Sequence, residues 1–256
     1  MSYHILSTVT SEFEDNWTTQ VRRGVIELCV LNSLSAGRLY GYDIVRRLRE
    51  LDGVVGGMLI LPATAETVAG FIAAAEAAPD EISTIANVMS CPPMPFVPEQ
   101  YHGTIVILGM LAYAGEEEVG AQALAPFRAL AEPIADMVKP IPYPEMFPPE
   151  DPDYHPTAIS KTMFIDHVDH GVAKTIVDYL EASDASVRVA QIRVLGGAAT
   201  RVPVDATAYA HRASRIMVNV AAFYDGEEDK PRREAWVAEF SAALQQGDAG
   251  AYVNFI

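Results

Sequence analysis

The nine residues from Val187 to Leu195 read VRVAQIRVL and carry the pattern that decides the fold. Apolar and polar side chains alternate from Ala190 to Val194, and successive side chains of a β-strand lie on opposite faces of the sheet. Ala190 and Ile192 are small and apolar enough to pack beneath helices. Gln191 and Arg193 then lie on the other face. The stretch therefore predicts a strand with one core face and one face that carries polar groups.

Residues 215–223 repeat this arrangement. Their apolar face consists of Ile216, Val218, Val220 and Ala222, and their opposite face of Arg215, Met217, Asn219 and Phe223. By the same alternation, Asn87 and Met89 share one face of a strand at 82–91. Ile107 and Tyr113 likewise share a face of a strand at 103–113. A sheet face that mixes aromatic, aliphatic and amide groups is typical of a small-molecule site.

Strand-like and helix-like segments alternate along the whole chain from residue 54. The predicted strands are 57–61, 82–91, 103–113, 160–168, 187–195, 215–223 and 251–255. The predicted helices are 65–77, 117–131, 171–182 and 231–246. Six prolines between Pro142 and Pro156 predict a long ordered loop within 139–156. The pattern predicts an α+β domain of residues 54–256, with helices to one side of a sheet.

Composition excludes several classes of protein. The 256 residues are 50% hydrophobic, and 34 acidic against 18 basic side chains give a formal net charge of −16. This composition excludes a disordered chain, and its negative potential repels nucleic acids. Cys29 and Cys91 are too few for a disulfide framework. Residues 1–10 lack the basic region and the long apolar run of a signal peptide, and no stretch approaches the roughly 18 apolar residues of a membrane span. We expect a cytoplasmic protein that does not contact a membrane.

Residues 1–53 have a different character from the rest. Their apolar residues recur at spacings of three and four, which predicts a short helical hairpin. The segments RRGVIEL at 22–28 and GRLYGYDI at 37–44 resemble the first helices of PadR-type transcriptional regulators. Such a regulator would meet DNA through Arg22, Arg23, Arg46 and Arg47. Where its recognition helix is expected, an apolar strand without a basic side chain follows, which disfavours DNA binding.

Residues 55–256 carry a second set of motifs. These are GGM at 56–58, PPMPF at 92–96, HG at 102–103, APFR at 125–128, QIRVLGGA at 191–198, AHR at 210–212 and YVNF at 252–255. In this order they resemble the substrate-binding half of FAD-linked oxidases of the vanillyl-alcohol-oxidase and berberine-bridge-enzyme superfamily. The resemblance implies an antiparallel sheet flanked by helices, one face of which covers the flavin and the substrate.

The resemblance does not extend to a cofactor. The FAD-binding half of those oxidases is not found within the 256 residues, and residues 1–53 are too short to replace it. Gly56 and Gly57 precede an apolar strand, so they do not form a phosphate-binding loop at a helix N-terminus. His167 and His170 are interpreted as a solvated capping cluster. We therefore expect neither FAD nor a metal on this chain alone, and no nucleophilic triad can be assembled from it.

Together these observations predict a non-catalytic small-molecule-binding protein. It would act as a sensor or sequestering protein for a bulky aromatic or hydrophobic metabolite, as a homodimer that covers an otherwise exposed apolar face. The predicted ligand-binding residues are Asn87, Met89, Ile107, Tyr113, Gln191, Arg193, His211, Met217, Asn219, Tyr252 and Asn254. Two alternatives stay open: one component of a split FAD-dependent oxidoreductase, and a DNA-binding transcriptional regulator.

Overall fold

The computed structural model describes residues 53–146, 156–206, 209, 211–247 and 250. The predicted hairpin with its PadR resemblance, including Arg22, Arg23, Arg46 and Arg47, lies outside the described residues. So do the predicted strand at 251–255 and the two ligand residues within it, Tyr252 and Asn254. The domain boundary at residue 53 stays a prediction.

The described residues form one antiparallel sheet of eight strands with four helices. The strands are β1 (Val54–Pro62), β2 (Ile82–Ser90), β3 (Ile105–Tyr113), β4 (Ala135–Asp136), β5 (Lys139–Ile141), β6 (Ala158–Ile165), β7 (Arg188–Val194) and β8 (Ile216–Phe223). The helices are α1 (Ala65–Ala77), α2 (Glu117–Arg128), α3 (His170–Ala182) and α4 (Lys230–Leu244). The predicted fold class is confirmed.

The sheet consists of two units with the same chain path. Each unit runs strand, helix, strand, strand, helix, and its third strand lies between its first two. This produces the strand order β1-β3-β2 in the first unit and β7-β8-β6 in the second. The units join where β2 pairs with β7, with Asn87 opposite Gln191. The two units are therefore related by a pseudo-twofold axis at the junction of β2 and β7, and α1 packs against α3 across this junction.

All four helices cover one face of the sheet. That face carries the predicted apolar sets of β7 and β8, and Ile192 and Val218 are both almost fully buried in it. Phe71 of α1 meets Phe127 of α2 edge to face, with ring centroids 5.0 Å apart. Burying a side chain of this size stabilises a fold by about 1.5–3 kcal/mol. The main core therefore lies between the sheet and the helices.

Local signals define where the helices begin. Thr64 caps α1 by accepting a hydrogen bond from the Thr67 backbone N–H, while the Thr67 hydroxyl accepts one from the Thr64 N–H. Asp169 caps α3 by accepting from the Val172 N–H at 2.9 Å. Such caps satisfy backbone donors that the helix leaves unpaired, and each contributes about 1 kcal/mol.

One strand formed where a loop was predicted. Lys139–Ile141 was assigned to the proline-rich loop, but it forms β5 and pairs with β1 at the edge of the sheet. An edge strand leaves one side of its backbone unpaired, so Pro140 fits there without costing a ladder hydrogen bond. The β1 strand changes partner at Gly57, whose φ is +142°. A Cβ atom there would collide with the Met137 carbonyl.

No helix within the described ranges is both long and apolar enough to cross a membrane.

Candidate functional site

The sheet face away from the helices carries a row of four polar side chains. Asn87, Gln191, Asn219 and Thr162 are consecutive cross-strand partners on β2, β7, β8 and β6. Directly opposite residues of an antiparallel pair have Cβ atoms only about 5 Å apart, so these side chains are neighbours. All four are at most 5% exposed. We call this set the amide row.

Comparison of the two units shows that the polar side chains are confined to one part of the face. In the first unit the positions equivalent to Asn219 and Thr162 are Leu108 and Ile60, which continue the same row beyond Asn87. Leu108 and Ile60 are buried in an apolar cluster with Met94 and Val97. The same chain path therefore carries apolar groups in the first unit and polar groups in the second.

Hydrogen bonding along the amide row is incomplete. The Asn87 Nδ2 donates to the Leu108 carbonyl at 3.1 Å, and the Gln191 Nε2 donates to the Asn87 Oδ1 at 2.8 Å. The Gln191 Oε1 and the Asn219 Oδ1 are buried, and among the described residues neither accepts a hydrogen bond. A buried polar atom without a partner costs about 1–3 kcal/mol. These two oxygens are therefore acceptors that a donor from outside the described residues would satisfy.

Two other predicted residues flank the amide row. Arg193 pairs with Met217 across β7 and β8, and Met217 pairs with Phe164 of β6. The Arg193 side chain is 1% exposed and Met217 is 4% exposed. The structure therefore brings Asn87, Gln191, Asn219, Arg193 and Met217 together on one face, as the strand alternation predicts.

Met89 lies on the same face but has a different environment. It packs with Cys91, Met94 and Val97 in the apolar cluster of the first unit. Burial raises the pKa of the Cys91 thiol to about 11, so the thiol is neutral at physiological pH. This part of the face is a packed satellite core.

The structure does not bring Ile107 and Tyr113 together with the amide row. Ile107 pairs with Val88, whereas Asn87 pairs with Leu108. Because side chains alternate along a strand, Ile107 and Tyr113 project to the helix side, where both belong to the main core. Alternation shows which residues of one strand share a face, but only the register between strands shows which face that is. The inclusion of these two residues in the ligand set is therefore corrected.

His211 lines a cleft at the ends of the strands. This cleft has a volume of about 160 Å³, and its walls come from the last turn of α1, the start of β2 and the loop between β7 and β8. The His211 ring stacks on Phe164 with 4.2 Å between centroids. Its neighbour Arg212 lies 5.4 Å from the centre of the Tyr209 ring. Through Phe164, the cleft adjoins the row that contains Met217 and Arg193.

Two ion pairs border this cleft. The Arg215 Nη2 lies 2.7 Å from the Glu76 Oε1, and the Arg201 Nη2 lies 2.6 Å from the Asp80 Oδ2. All four side chains are at least partly exposed.

The positions of Thr162, Glu76 and Arg215 in these sites were not predicted. Alternation within β6 could have placed Thr162 with Phe164, but no local pattern shows that the end of α1 meets the loop after β7.

The architecture is that of the substrate-binding half of FAD-linked oxidases. Solved structures that share it include aclacinomycin oxidoreductase, with 16% sequence identity and a TM-score of 0.60. Others are a BBE-like 1 protein of Physcomitrella patens, with 14% identity and a TM-score of 0.61, and berberine bridge enzyme of Eschscholzia californica, with 15% and 0.55. Each match covers 80% of this chain, but only 46%, 46% and 43% of the respective solved chains. No protein-family model and no curated protein matches the sequence.

The described residues offer no site for a whole FAD molecule. The amide row offers acceptors for the N–H edge of a heteroaromatic ring. A diphosphate, however, needs free N–H groups and positive potential, as at a helix N-terminus. Every helix in the described ranges has an acid at its cap or in its first turn: Glu66, Glu117, Asp169 and Asp229. The cleft of about 160 Å³ is also far too small for a dinucleotide. The described residues therefore do not fit FAD as a whole.

Proposed function

We propose that this protein binds a small molecule on the amide row and does not catalyse its conversion. The ligand would be a bulky aromatic or hydrophobic metabolite that carries hydrogen-bond donors, and the protein would act as its sensor or sequestering protein. The observation that carries this proposal is the pair of buried acceptors, Gln191 Oε1 and Asn219 Oδ1, for which the described residues provide no donor. Unsatisfied buried groups are uncommon in folded proteins and call for a partner such as a ligand or water.

The composition of this face supports the same ligand class. Met217, Phe164 and Leu195 form an apolar cluster beside the polar groups, so the face offers both hydrophobic contact and hydrogen bonds. Small-molecule sites are typically apolar with a few polar groups that orient the ligand. Among the solved structures with this fold, a variant of berberine bridge enzyme is in complex with (S)-reticuline. This complex supports the proposal that the present chain also binds an organic molecule.

The first test is native mass spectrometry of the full chain as purified. We expect an additional organic mass on the wild type that is lost in the variant Asn219→Leu. The matched control is Ser241→Ala, because the Ser241 Oγ is also buried without a partner among the described residues but belongs to α4, on the helix side. This variant should retain the mass. If the wild type carries no ligand, and (S)-reticuline and other aromatic probes do not raise its Tm, the proposal is wrong.

A flavin-dependent role is the second candidate, because the fold is that of an oxidase half. This chain would then complete an FAD-binding partner rather than hold the cofactor itself. Visible absorption in the flavin bands, in the protein alone or after a partner is added, would favour this role. An additional mass equal to that of FAD in the same native spectrum would replace the first proposal with this one.

The regulator hypothesis and the homodimer stay predictions. A regulator would contact DNA through the N-terminal arginines, and its binding would weaken steeply as salt rises. A homodimer was expected because an apolar sheet face would otherwise be exposed. The amide row and its neighbours are already buried in the single chain, and the exposed large hydrophobic residues in the described ranges are only Phe96, Val119 and Val204. The native mass spectrum also reports the number of subunits.

A further inference from the structure

A groove opens at the point where the chain enters the sheet. It has a volume of about 540 Å³ and lies between the start of β1, the end of β5 and the turn that leads from β3 into α2. Gly53, the first residue that the structure describes, is one of its lining residues. Most of its walls are apolar, and they include Val54, Val55, Ala114, Ile141 and Pro142. The residues that precede Gly53 therefore join the sheet directly beside this groove.

Three consecutive glutamates border the groove at the start of α2. Glu116 and Glu117 line it, Glu118 follows them, and all three are exposed. None of them has an ion pair with another described residue, and no Lys or Arg lines the groove. The dipole of α2 offsets only about half a charge. Val119, the next residue of α2, adds an apolar side chain that is 51% exposed. The groove thus combines apolar walls with uncompensated negative charge, which repels an anionic ligand such as a nucleotide.

The residues just before Gly53 carry the complementary pattern. Apolar residues recur within 44–51 at spacings of three and four, which predicts a helix with one apolar side. This side consists of Ile44, Val45, Leu48 and Leu51. With 3.6 residues per turn, Arg47 and Arg49 flank the apolar side on its two edges, whereas the acids Asp43 and Glu50 lie opposite it. An Asp-Gly pair at 52–53 is typical of a turn, so the predicted helix can reverse onto the groove.

We propose that this groove docks residues 44–51 of the same chain, with their apolar side in the groove and Arg47 and Arg49 at the glutamates of α2. A segment joined to the lining residue Gly53 by a single residue has a very high effective concentration, which favours it over a second copy or a separate partner. Docked arginines are not available to DNA, so this contact opposes the DNA binding that the N-terminal resemblance implies. The groove shares no residue with the amide row, and the inference does not depend on the proposed function.

The test is limited trypsin digestion of the full chain, with the fragments identified by mass spectrometry. No Lys or Arg lies between Arg49 and Arg128, so cuts after residues 46, 47 and 49 are readily assigned. Cutting of a segment that opens and closes rapidly follows the population of its open state. The triple variant Glu116→Gln, Glu117→Gln, Glu118→Gln should be cut there at least about threefold faster than the wild type, because one exposed ion pair contributes a factor of up to about five. Glu116→Asp, Glu117→Asp, Glu118→Asp keeps the charge and should stay close to the wild type.

A charge-matched variant distinguishes the groove from the overall field of the protein. Asp225→Asn, Glu227→Gln, Glu228→Gln removes the same charge from an exposed loop before α4, and should leave the cutting rate unchanged because salt screens distant exposed charges.

A second pair of variants tests the groove without altering α2. Pro142→Trp fills the groove and should also speed the cutting. Its control is Pro203→Trp, because both prolines are exposed and the carbonyl of each accepts a hydrogen bond from the backbone N–H three residues later. Unchanged rates in both groove variants, or equal acceleration in the groove and control variants, would overturn the proposal. Protection that rises with protein concentration would also overturn it, since a second copy would then be the occupant.

Discussion

Replacing Asn219 by Leu should stabilise the protein, which is unusual for a change at a buried polar residue. The Asn219 Oδ1 is buried without a hydrogen-bond partner among the described residues. Removing such an atom relieves about 1–3 kcal/mol, and leucine fits the space because Leu108 occupies the equivalent position in the first unit at 1% exposure. We expect the free energy of unfolding to rise by about 1–2 kcal/mol, which corresponds to a Tm higher by about 2–8 °C.

The matched substitution Asn87→Leu should have the opposite sign. It removes the hydrogen bond from the Asn87 Nδ2 to the Leu108 carbonyl at 3.1 Å and the one from the Gln191 Nε2 to the Asn87 Oδ1 at 2.8 Å. It also leaves the Gln191 amide without an acceptor, so we expect a loss of about 2–3 kcal/mol. Urea denaturation of both variants without added ligand measures the two values. If Asn219→Leu lowers the free energy of unfolding as Asn87→Leu does, then the Asn219 oxygen is satisfied and the amide row is structural.

Three further predictions test the local physical chemistry. Gly57→Ala should lower the free energy of unfolding by more than about 2 kcal/mol, because φ is +142° and a Cβ would strike a backbone carbonyl. The control is Gly196→Ala, whose added Cβ would meet no atom within 4 Å. Urea denaturation measures both variants. The His170 Nε2, at 2.9 Å, donates to Glu66 and holds the pKa of that carboxyl at about 2. His170→Gln should raise this pKa toward its usual value in an NMR titration. A carboxyl group whose pKa is lowered in the folded protein stabilises the fold at pH values above its ordinary pKa. The contribution of Glu66 should therefore be lost as the pH falls toward 2. If the Glu66 pKa is the same in His170→Gln as in the wild type, the contact does not hold this pKa down. Cys91, with its pKa raised to about 11, should resist alkylation at pH 8 until the chain unfolds, as peptide mass spectrometry can measure; rapid labelling of the native protein would show that the thiol is accessible.

Much of the fold could be predicted because its signals are local. Helix α1 was predicted with its observed bounds, since the Thr64 cap and the run of alanines act within a single helix. The alternation in β7 and β8 placed Gln191, Arg193, Asn219 and Met217 on one face, where the structure has them. The edge strand β5 was missed because three residues with a proline have no pattern of their own, and pairing with β1 alone stabilises them.

By itself, then, the sequence determined the longer strands and the helices of the described residues, and which side chains of one strand share a face, because those properties depend on neighbours along the chain. Only the tertiary structure decided that Ile107 belongs to the main core while Asn87 belongs to the amide row, because the register between β2 and β3 relates residues about 20 positions apart. The same holds for the cleft, where Glu76 meets Arg215 only after the sheet has assembled. Charges and hydrogen-bond partners that are distant in sequence become a site through packing, which no local pattern encodes.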